Sequence, residues 1–212
     1  MTWAPAGYDE VCKYWFTDSD GTRLFAKVRY ELQDTVAGPR KKTFRYWDPD
    51  TRRFQKPPYA DAYLYRLHEV APAAVAGKTI HWAEGEKDAD ALAAAGVAAT
   101  SHHQGAGHVT LDQAALLTEA RRVVLWVDKD IDHWEVGAYD ACLRYNLLID
   151  AGVRAGRLRL VKARGRSNKD AADHLAAGFT VAQALSVDPL RLAEVARNYT
   201  PSAGRKAGYR HA

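Results

Sequence analysis

Cysteine is scarce in this chain and long apolar runs are absent, and each absence excludes a class of protein. The 212 residues include two cysteines, Cys12 and Cys142, which lie far apart in the sequence. They cannot form a closely spaced pair of metal ligands, which excludes a zinc ribbon within this chain, and we expect two free thiols. No apolar stretch reaches the ~18 residues of a membrane span, and the first residues lack the pattern of a signal peptide. We therefore expect a cytoplasmic protein with no membrane partner.

The net charge is only +4, but charge is unevenly distributed along the chain. Residues 71–149 contain 11 acidic and 6 basic residues, whereas residues 150–212 contain 12 basic and 5 acidic residues. An acidic middle followed by a basic end fits a metal site beside a surface that binds phosphate. The alternative is a protein whose basic end is merely solvated, so charge alone does not establish nucleic acid as the partner.

Residues 1–70 predict a small antiparallel β subdomain. Apolar and polar residues alternate over residues 12–16 and 24–30, and turn-forming residues lie between these runs. Two further short strands are expected at residues 43–47 and 53–55, on either side of a tight turn that contains Pro49. We interpret the alternating aromatic residues as a half-buried sheet face rather than as a platform for stacking bases: Tyr14, Phe16, Phe44, Tyr46 and Phe54.

Residues 71–178 predict a larger α/β domain. Four short apolar runs, at residues 79–83, 97–100, 123–127 and 158–161, alternate with helical patterns, one of which extends from Thr110 through Glu119. Strands that alternate with helices at this spacing indicate βαβ units and a mainly parallel, Rossmann-like sheet flanked by helices. Short C-terminal helices are expected over residues 179–198, and a flexible basic tail over residues 199–212.

Two of the predicted strands end in acidic residues. The strand over residues 80–83 is followed by Glu84, and the strand over residues 123–127 is followed by Asp128 and Asp130. Because ligands gather at the carboxyl ends of strands in an open parallel sheet, these carboxylates are expected to converge. Hard oxygen ligands of this kind suit Mg²⁺ or Mn²⁺ rather than Zn²⁺. The sequence therefore predicts a divalent-cation site at this edge of the sheet.

Other polar residues close to these strand ends have plainer explanations. Asp88 and Asp90 fall in the first turn of a predicted helix, where negative charge is favoured, so we interpret them as helix-stabilising residues. For Glu86 and Asp132, a metal ligand and an acid that only solvates a loop or stabilises the next helix are equally good interpretations. We interpret the histidines of the Gly-rich loop as polar loop residues that contact phosphate, rather than as a metal cluster: His102, His103 and His108.

Four segments together resemble the TOPRIM domain of phage and bacterial primases. Residues 80–92 resemble its first motif, an apolar strand followed by Glu-Gly and an Ala-rich helix. Residues 123–130 resemble its second motif, an apolar strand followed by Asp-x-Asp. The small-residue and Gly loop over residues 98–107 and the Lys-Asp-x-x-Asp-x-Leu segment over residues 168–175 are also similar to the primase pattern. The resemblance covers about half of the chain, in the order and spacing of the family.

The resemblance implies roles for the acidic residues. It implies that Glu84 is an acid–base or metal-binding carboxylate, and that Asp128 and Asp130 bind Mg²⁺ during catalysis. Many relatives follow Asp-x-Asp directly with a small residue and Gly, whereas a bulky insertion precedes Gly137 here. Asp132 lies in that insertion and is therefore a further candidate metal ligand.

Four basic residues near the same edge of the sheet are candidates for binding nucleic-acid phosphates. One lies at the start of the helix after the first acidic motif, and three lie on the loop after the fourth strand: Lys87, Arg164, Arg166 and Lys169. Loops at this edge lie next to the predicted metal site, so cations there can reach phosphate oxygens. The alternative is a basic loop that is merely solvated.

The combined pattern predicts metal-assisted phosphoryl transfer on nucleic acid. The leading hypothesis is a primase-like nucleotidyltransferase, a phage-type DNA replication enzyme that uses nucleotides and a single-stranded DNA template. The same carboxylates would serve a TOPRIM nuclease, in which water attacks, and a non-catalytic nucleic-acid-binding accessory protein is the third alternative. Residues 105–107 lack the Gly-Lys-Ser/Thr of a Walker P-loop, so no helicase motor is expected here. The hypothesis therefore places the helicase, and likewise the zinc-binding module, on other chains.

Overall fold

The strands of the chain form two separate sheets. The structure, a computed structural model, describes residues 4–32, 41–130 and 133–200. The first sheet is antiparallel and contains β1 (Tyr8–Thr17), β2 (Arg23–Leu32) and β3 (Lys42–Trp47), in that order. Beyond β3, Asp48 and Arg53 form only an isolated bridge, so the expected strand over residues 53–55 is absent from the described part of the chain. The side chain of Asp48 instead accepts hydrogen bonds within this turn, which closes it without a further strand.

The second sheet has five strands in the order β5-β4-β6-β7-β8. Its first four members run parallel: β4 (Thr79–Ala83), β5 (Ala98–Ser101), β6 (Arg122–Val127) and β7 (Leu158–Lys162). The short β8 (Leu185–Ser186) is antiparallel to β7. This arrangement confirms the prediction of a mainly parallel α/β sheet preceded by a small antiparallel unit.

In the described part of the chain, six α-helices accompany the sheets. They are α1 (Leu67–Val75), α2 (Glu86–Ala94), α3 (Leu111–Ala115), α4 (Trp134–Asp150), α5 (Ala171–Ala176) and α6 (Pro189–Ala196), with 3₁₀ turns at Ala60–Ala62, Ala155–Arg157 and Val181–Gln183. The helix expected from Thr110 through Glu119 is correct at its start, where Thr110 forms a capping box with Gln113, but its α-helical part is shorter. None of the helices among the described residues is long and apolar enough to cross a membrane.

The parallel sheet is buried on both faces, as the continuous apolar sequence of β6 predicts. Because successive side chains of a strand point to opposite faces, β6 contributes to two apolar clusters. Val123, Leu125 and Val127 pack towards α4 and α6, while Val124 and Trp126 pack towards α2 and α5. This double burial holds the carboxyl ends of β4, β6 and β7 at one edge of the sheet, where the helices on both faces begin.

The two sheets are joined by aromatic packing and by one buried ion pair. Phe16 stacks on Phe25 at a ring-centroid distance of 4.6 Å and also contacts Tyr65. Lys27 on β2 donates to both carboxylate oxygens of Glu86, at 2.9 and 3.0 Å. Glu86 is the first residue of α2, which agrees with the interpretation of it as a helix-stabilising acid, and its buried carboxylate is engaged by Lys27. Its carboxylate joins the start of α2 to the antiparallel sheet.

His81 gives the protein a predicted loss of stability in acid. Its Nδ1 accepts a hydrogen bond from the Trp126 indole at 3.1 Å, and burial lowers the pKa of His81 to about 4. The unfolded chain binds this proton more tightly, so the free energy of unfolding should fall as the pH drops from 6.5 to 4. Between pH 6.5 and pH 4, we expect the free energy of unfolding to fall by roughly 3 kcal/mol less in His81→Asn than in the native chain. Urea unfolding at each pH measures this difference.

The comparison between variants is needed because buried carboxyl groups titrate in the opposite direction. His133→Asn is the matched control, since the His133 side chain is 72% exposed. An identical pH dependence in native chain and His81→Asn would mean that His81 is protonated in the folded state.

Candidate active site

A cleft of about 500 Å³ lies between the two sheets. One wall consists of acidic residues at the carboxyl edge of the parallel sheet: Glu84, Asp88, Asp128 and Asp170. The opposite wall comes from the antiparallel sheet and is basic and aromatic: Lys27, Arg29, Lys42, Phe44 and Tyr46. The prediction that Phe44 and Tyr46 belong to a half-buried sheet face is thus incomplete, because both side chains also line this cleft.

The acidic wall is assembled from four separate elements. Glu84 follows β4, and Asp128 follows β6, as the sequence predicts. Asp88 lies in the first turn of α2, where its Oδ1 accepts a hydrogen bond from the Ala172 amide at 2.9 Å. Asp170 caps α5. Parallel strands with helical crossovers bring all these positions to one edge of the sheet.

The acidic residues disfavour one another's charge. Burial raises the pKa of Asp128 well above its ordinary value, and the neighbouring Glu84, Asp88 and Asp170 raise it further, against the opposing effect of Arg144. Burial and then Asp170 raise the pKa of Asp88 to about 7. A cluster of this kind is stabilised by a cation that neutralises it.

Glu84 sits beside a second, deeper group of charges. Burial and the nearby Asp140 raise the pKa of Glu84, while His102, Arg144 and a hydrogen bond from the Ala106 amide act in the other direction. Among the described residues, no three His, Cys, Asp or Glu side chains are grouped closely enough to hold a metal ion together. The acids therefore offer a partial, open set of oxygen ligands rather than a closed cage.

The structure places Asp130 apart from the other acids. Its carboxylate lies 2.7 Å from the Lys169 ammonium, and its side chain is 59% exposed at the rim, outside the cleft lining. Asp132, the additional candidate ligand, lies outside the described residues. Asp88, which we interpret from the sequence as helix-stabilising only, instead faces the cleft and contributes to the acidic cluster. The sequence signal for this position of Asp88 is its spacing of four residues from Glu84.

The candidate phosphate-binding residues are less concentrated than the sequence suggests. Lys87 lines the cleft, with its ammonium 3.6 Å from Asp170. Arg164 donates from Nε to the Gln183 carbonyl at 3.1 Å, and Arg166 is exposed on the same loop. These two arginines and Lys169 are not part of the cleft lining.

His102 and His103 are fully buried rather than exposed in a polar loop. His103 lies 2.9 Å from an Asp61 oxygen through Nε2 and 3.0 Å from the Tyr46 hydroxyl through Nδ1. Burial lowers the pKa of His103 to about 4 despite the opposing effect of Asp61. Both nitrogens of His103 are thus engaged by the protein, which corrects the expectation that this residue contacts phosphate.

The comparison with known proteins rests on structure alone. No protein-family model matches the chain, and no curated protein matches it. The catalytic core of Escherichia coli primase superposes with a TM-score of 0.56 at 17% identity, covering 89% of this chain and 56% of that one. The RNA polymerase domain of the Mycobacterium tuberculosis primase DnaG superposes with a TM-score of 0.56 at 15% identity, covering 88% of this chain and 57% of that one.

The chain shares the fold of about half of the primase catalytic core. A DnaG primase catalytic domain bound to single-stranded DNA is also similar, with a TM-score of 0.54 at 17% identity, covering 88% of this chain and 54% of that one. The chain spans about half the length of these primase structures. The resemblance of its motifs to the TOPRIM region of primases is confirmed at the level of the fold.

Proposed function

We propose that the chain is a primase-like nucleotidyltransferase that uses a divalent cation to build short oligonucleotides on a single-stranded DNA template. The observation that carries this proposal is the cleft, in which a wall of carboxylates faces a basic and aromatic wall. Phosphate groups are attracted by the basic wall, and a cation beside the acidic wall extends that attraction across the cleft. The similarity to a primase domain bound to single-stranded DNA agrees with this substrate.

The acidic wall fits Mg²⁺ or Mn²⁺. Magnesium keeps several waters and uses only a few carboxylates, which matches an open set of oxygens that repel one another. We propose that Glu84 and Asp128 hold the ion together with water molecules, with Asp88 and Asp170 beside them in the acidic wall and Asp130 at the rim. Bound there, the ion would neutralise phosphate charge and align the attacking and leaving oxygens.

The opposite wall would orient the nucleotides. Lys42 is exposed at its edge, where it can contact phosphate without giving up a buried partner. Lys27 is different, because its ammonium already pairs with Glu86 and lies 4.5 Å from the centre of the Phe44 ring. We propose that Lys42 binds phosphate and that Phe44 and Tyr46 contact bases or sugars.

In the proposed reaction, the 3′-hydroxyl of one nucleotide attacks the α-phosphate of the next and displaces diphosphate. The protein contributes position and charge stabilisation rather than a covalent intermediate. As partners in this reaction we propose a replicative helicase and a separate zinc-binding module.

The test is one incubation of the purified protein with single-stranded DNA, labelled nucleotides, and either Mg²⁺ or Mn²⁺. We expect new short oligonucleotides from the native chain and at least about a hundredfold less from Glu84→Gln. Glu194→Gln is the matched control, since Glu194 is exposed on α6, away from the cleft.

The products also separate the alternatives. A shortened template without new oligonucleotides would identify a nuclease that uses the same carboxylates. Template binding without either product would leave a non-catalytic accessory protein, and equal synthesis by Glu84→Gln would remove Glu84 from the proposed site.

A further inference from the structure

Arg144 is a fully buried arginine that joins two strands of the parallel sheet. It lies on α4, and its guanidinium donates to the carbonyl of Trp82 at 2.6 Å and to that of Trp126 at 2.9 Å. Trp82 belongs to β4 and Trp126 to β6. One planar side chain therefore hydrogen-bonds both strands at once, through two separate nitrogens held in a fixed fork, whereas lysine presents its donors from a single nitrogen.

The bridge lies where the two strands separate. The backbone pairing of β4 with β6 extends from Thr79 to Trp82 and ends there. At this point β4 and β6 stop pairing with each other, and the guanidinium of Arg144 donates to one carbonyl on each strand, that of Trp82 and that of Trp126. Glu84 and Asp128 each follow two residues after a bridged tryptophan. The separation of these two acids is thus set by strand ends that Arg144 holds together.

Asp140 connects the same arginine to Glu84 by a second route. Its Oδ2 lies 2.8 Å from Nε of Arg144, and its Oδ1 accepts a hydrogen bond from the Gly107 amide at 2.9 Å. The preceding amide, that of Ala106, donates to Glu84. The Asp140–Arg144 pair therefore restrains both the strand that leads to Glu84 and the loop that hydrogen-bonds its carboxylate.

We propose that Arg144 and Asp140 are positioning residues, which keep Glu84 and Asp128 at the separation that a divalent cation requires. The proposal rests on the proposed function, because it takes these two acids as ligands. Mutation of a residue that contacts a metal ligand, rather than the metal itself, typically lowers metal affinity by about 10- to 100-fold.

The first experiment tests the bridge without a metal. Amide hydrogen exchange is measured by NMR in the native chain and in Arg144→Met, both in EDTA. We expect exchange to become at least about tenfold faster at residues 83–85 and 127–129, and to change little at residues 123–125, where β6 is paired on both sides. Equal acceleration of exchange at all these positions would indicate general destabilisation and would overturn the proposal. Unchanged exchange at the strand ends would overturn it as well.

The second experiment measures Mn²⁺ binding by the loss of its free EPR signal. We expect the dissociation constant to rise at least about tenfold in Arg144→Met and in Arg144→Lys, since lysine keeps the charge but lacks the two nitrogens that the planar guanidinium holds at a fixed separation. The double variant Asp140→Asn/Arg144→Met removes the unpaired buried charge, so it should recover thermal stability but not Mn²⁺ affinity. Recovery of both would mean that Arg144 only neutralises Asp140.

The two experiments separate the failure of this proposal from that of the proposed function. If Glu84→Gln binds Mn²⁺ as the native chain does, the metal site is misassigned, whatever the exchange data show. If Glu84→Gln loses Mn²⁺ binding but Arg144→Lys retains it, the metal site stands and the positioning role is wrong. Arg144→Lys also serves where Arg144→Met does not fold.

Discussion

Asp128→Asn is expected to abolish metal-dependent synthesis while the chain stays folded. Asp128 is surrounded by other acids, and burial already favours its neutral form, so an amide of the same shape fits the metal-free fold. The variant cannot supply a carboxylate to a cation, and we expect its activity to fall roughly a hundredfold or more. Oligonucleotide synthesis is measured together with the melting temperature, with and without Mg²⁺.

The melting temperature separates a lost ligand from a lost fold. Mg²⁺ should raise the melting temperature of the native chain, because a ligand that binds only the folded state stabilises it, and should not raise that of Asp128→Asn. Asp130→Asn should lose activity as well, but with unchanged metal-free stability, since its carboxylate is at the exposed rim beside Lys169. A native melting temperature that does not respond to Mg²⁺ would contradict the metal assignment.

Gly137→Ala is expected to damage the site through its backbone. A Cβ on Gly137 would overlap the carbonyl oxygen of Asp128 and lie 2.9 Å from its carbonyl carbon. Because α4 packs directly against the chain at Asp128, helix and strand end must move apart to admit a methyl group. We expect a loss of roughly 1–3 kcal/mol in the free energy of unfolding, and an activity loss larger than this destabilisation explains.

Gly156→Ala is the matched control for this prediction. Nothing lies within 4 Å of a Cβ at Gly156, which is in the 3₁₀ turn after α4, so neither stability nor activity should change appreciably. Stability is measured by urea unfolding and activity by oligonucleotide synthesis under conditions where each variant is fully folded. Native activity in a folded Gly137→Ala would show that the position of Asp128 tolerates a shift of α4.

The parallel sheet could be predicted because its signals are local. A continuous apolar run such as Val123–Val127 is needed when both faces of a strand are covered, and the acidic residue that follows marks the end of burial. The same pattern predicts that Glu84 and Asp128 lie at the carboxyl edge of the sheet. The turn at residues 48–55 was harder, because its closure depends on side-chain hydrogen bonds to Asp48 rather than on strand pairing.

The buried polar residues could not be predicted from their neighbours in sequence. Asp88 has the pattern of a helix-stabilising residue, and the start of a helix favours acids whether or not a cleft adjoins it. Arg144 lies on α4 in a sequence that does not distinguish an exposed arginine from a buried one. Its role depends on two carbonyls, on β4 and β6, that are distant in the chain.

The sequence by itself determined the four parallel strands and the helices that alternate with them, the antiparallel unit before the parallel sheet, and the two acids that follow β4 and β6. These features follow from periodicity, turn residues and the limits of apolar runs, which act over a few residues. Only the tertiary structure decided which acids meet in one cleft, that Lys27 and Glu86 join the sheets, and that Arg144 bridges the strand ends. Those contacts join residues between 18 and 62 positions apart, and their energies depend on burial and distance in the folded chain.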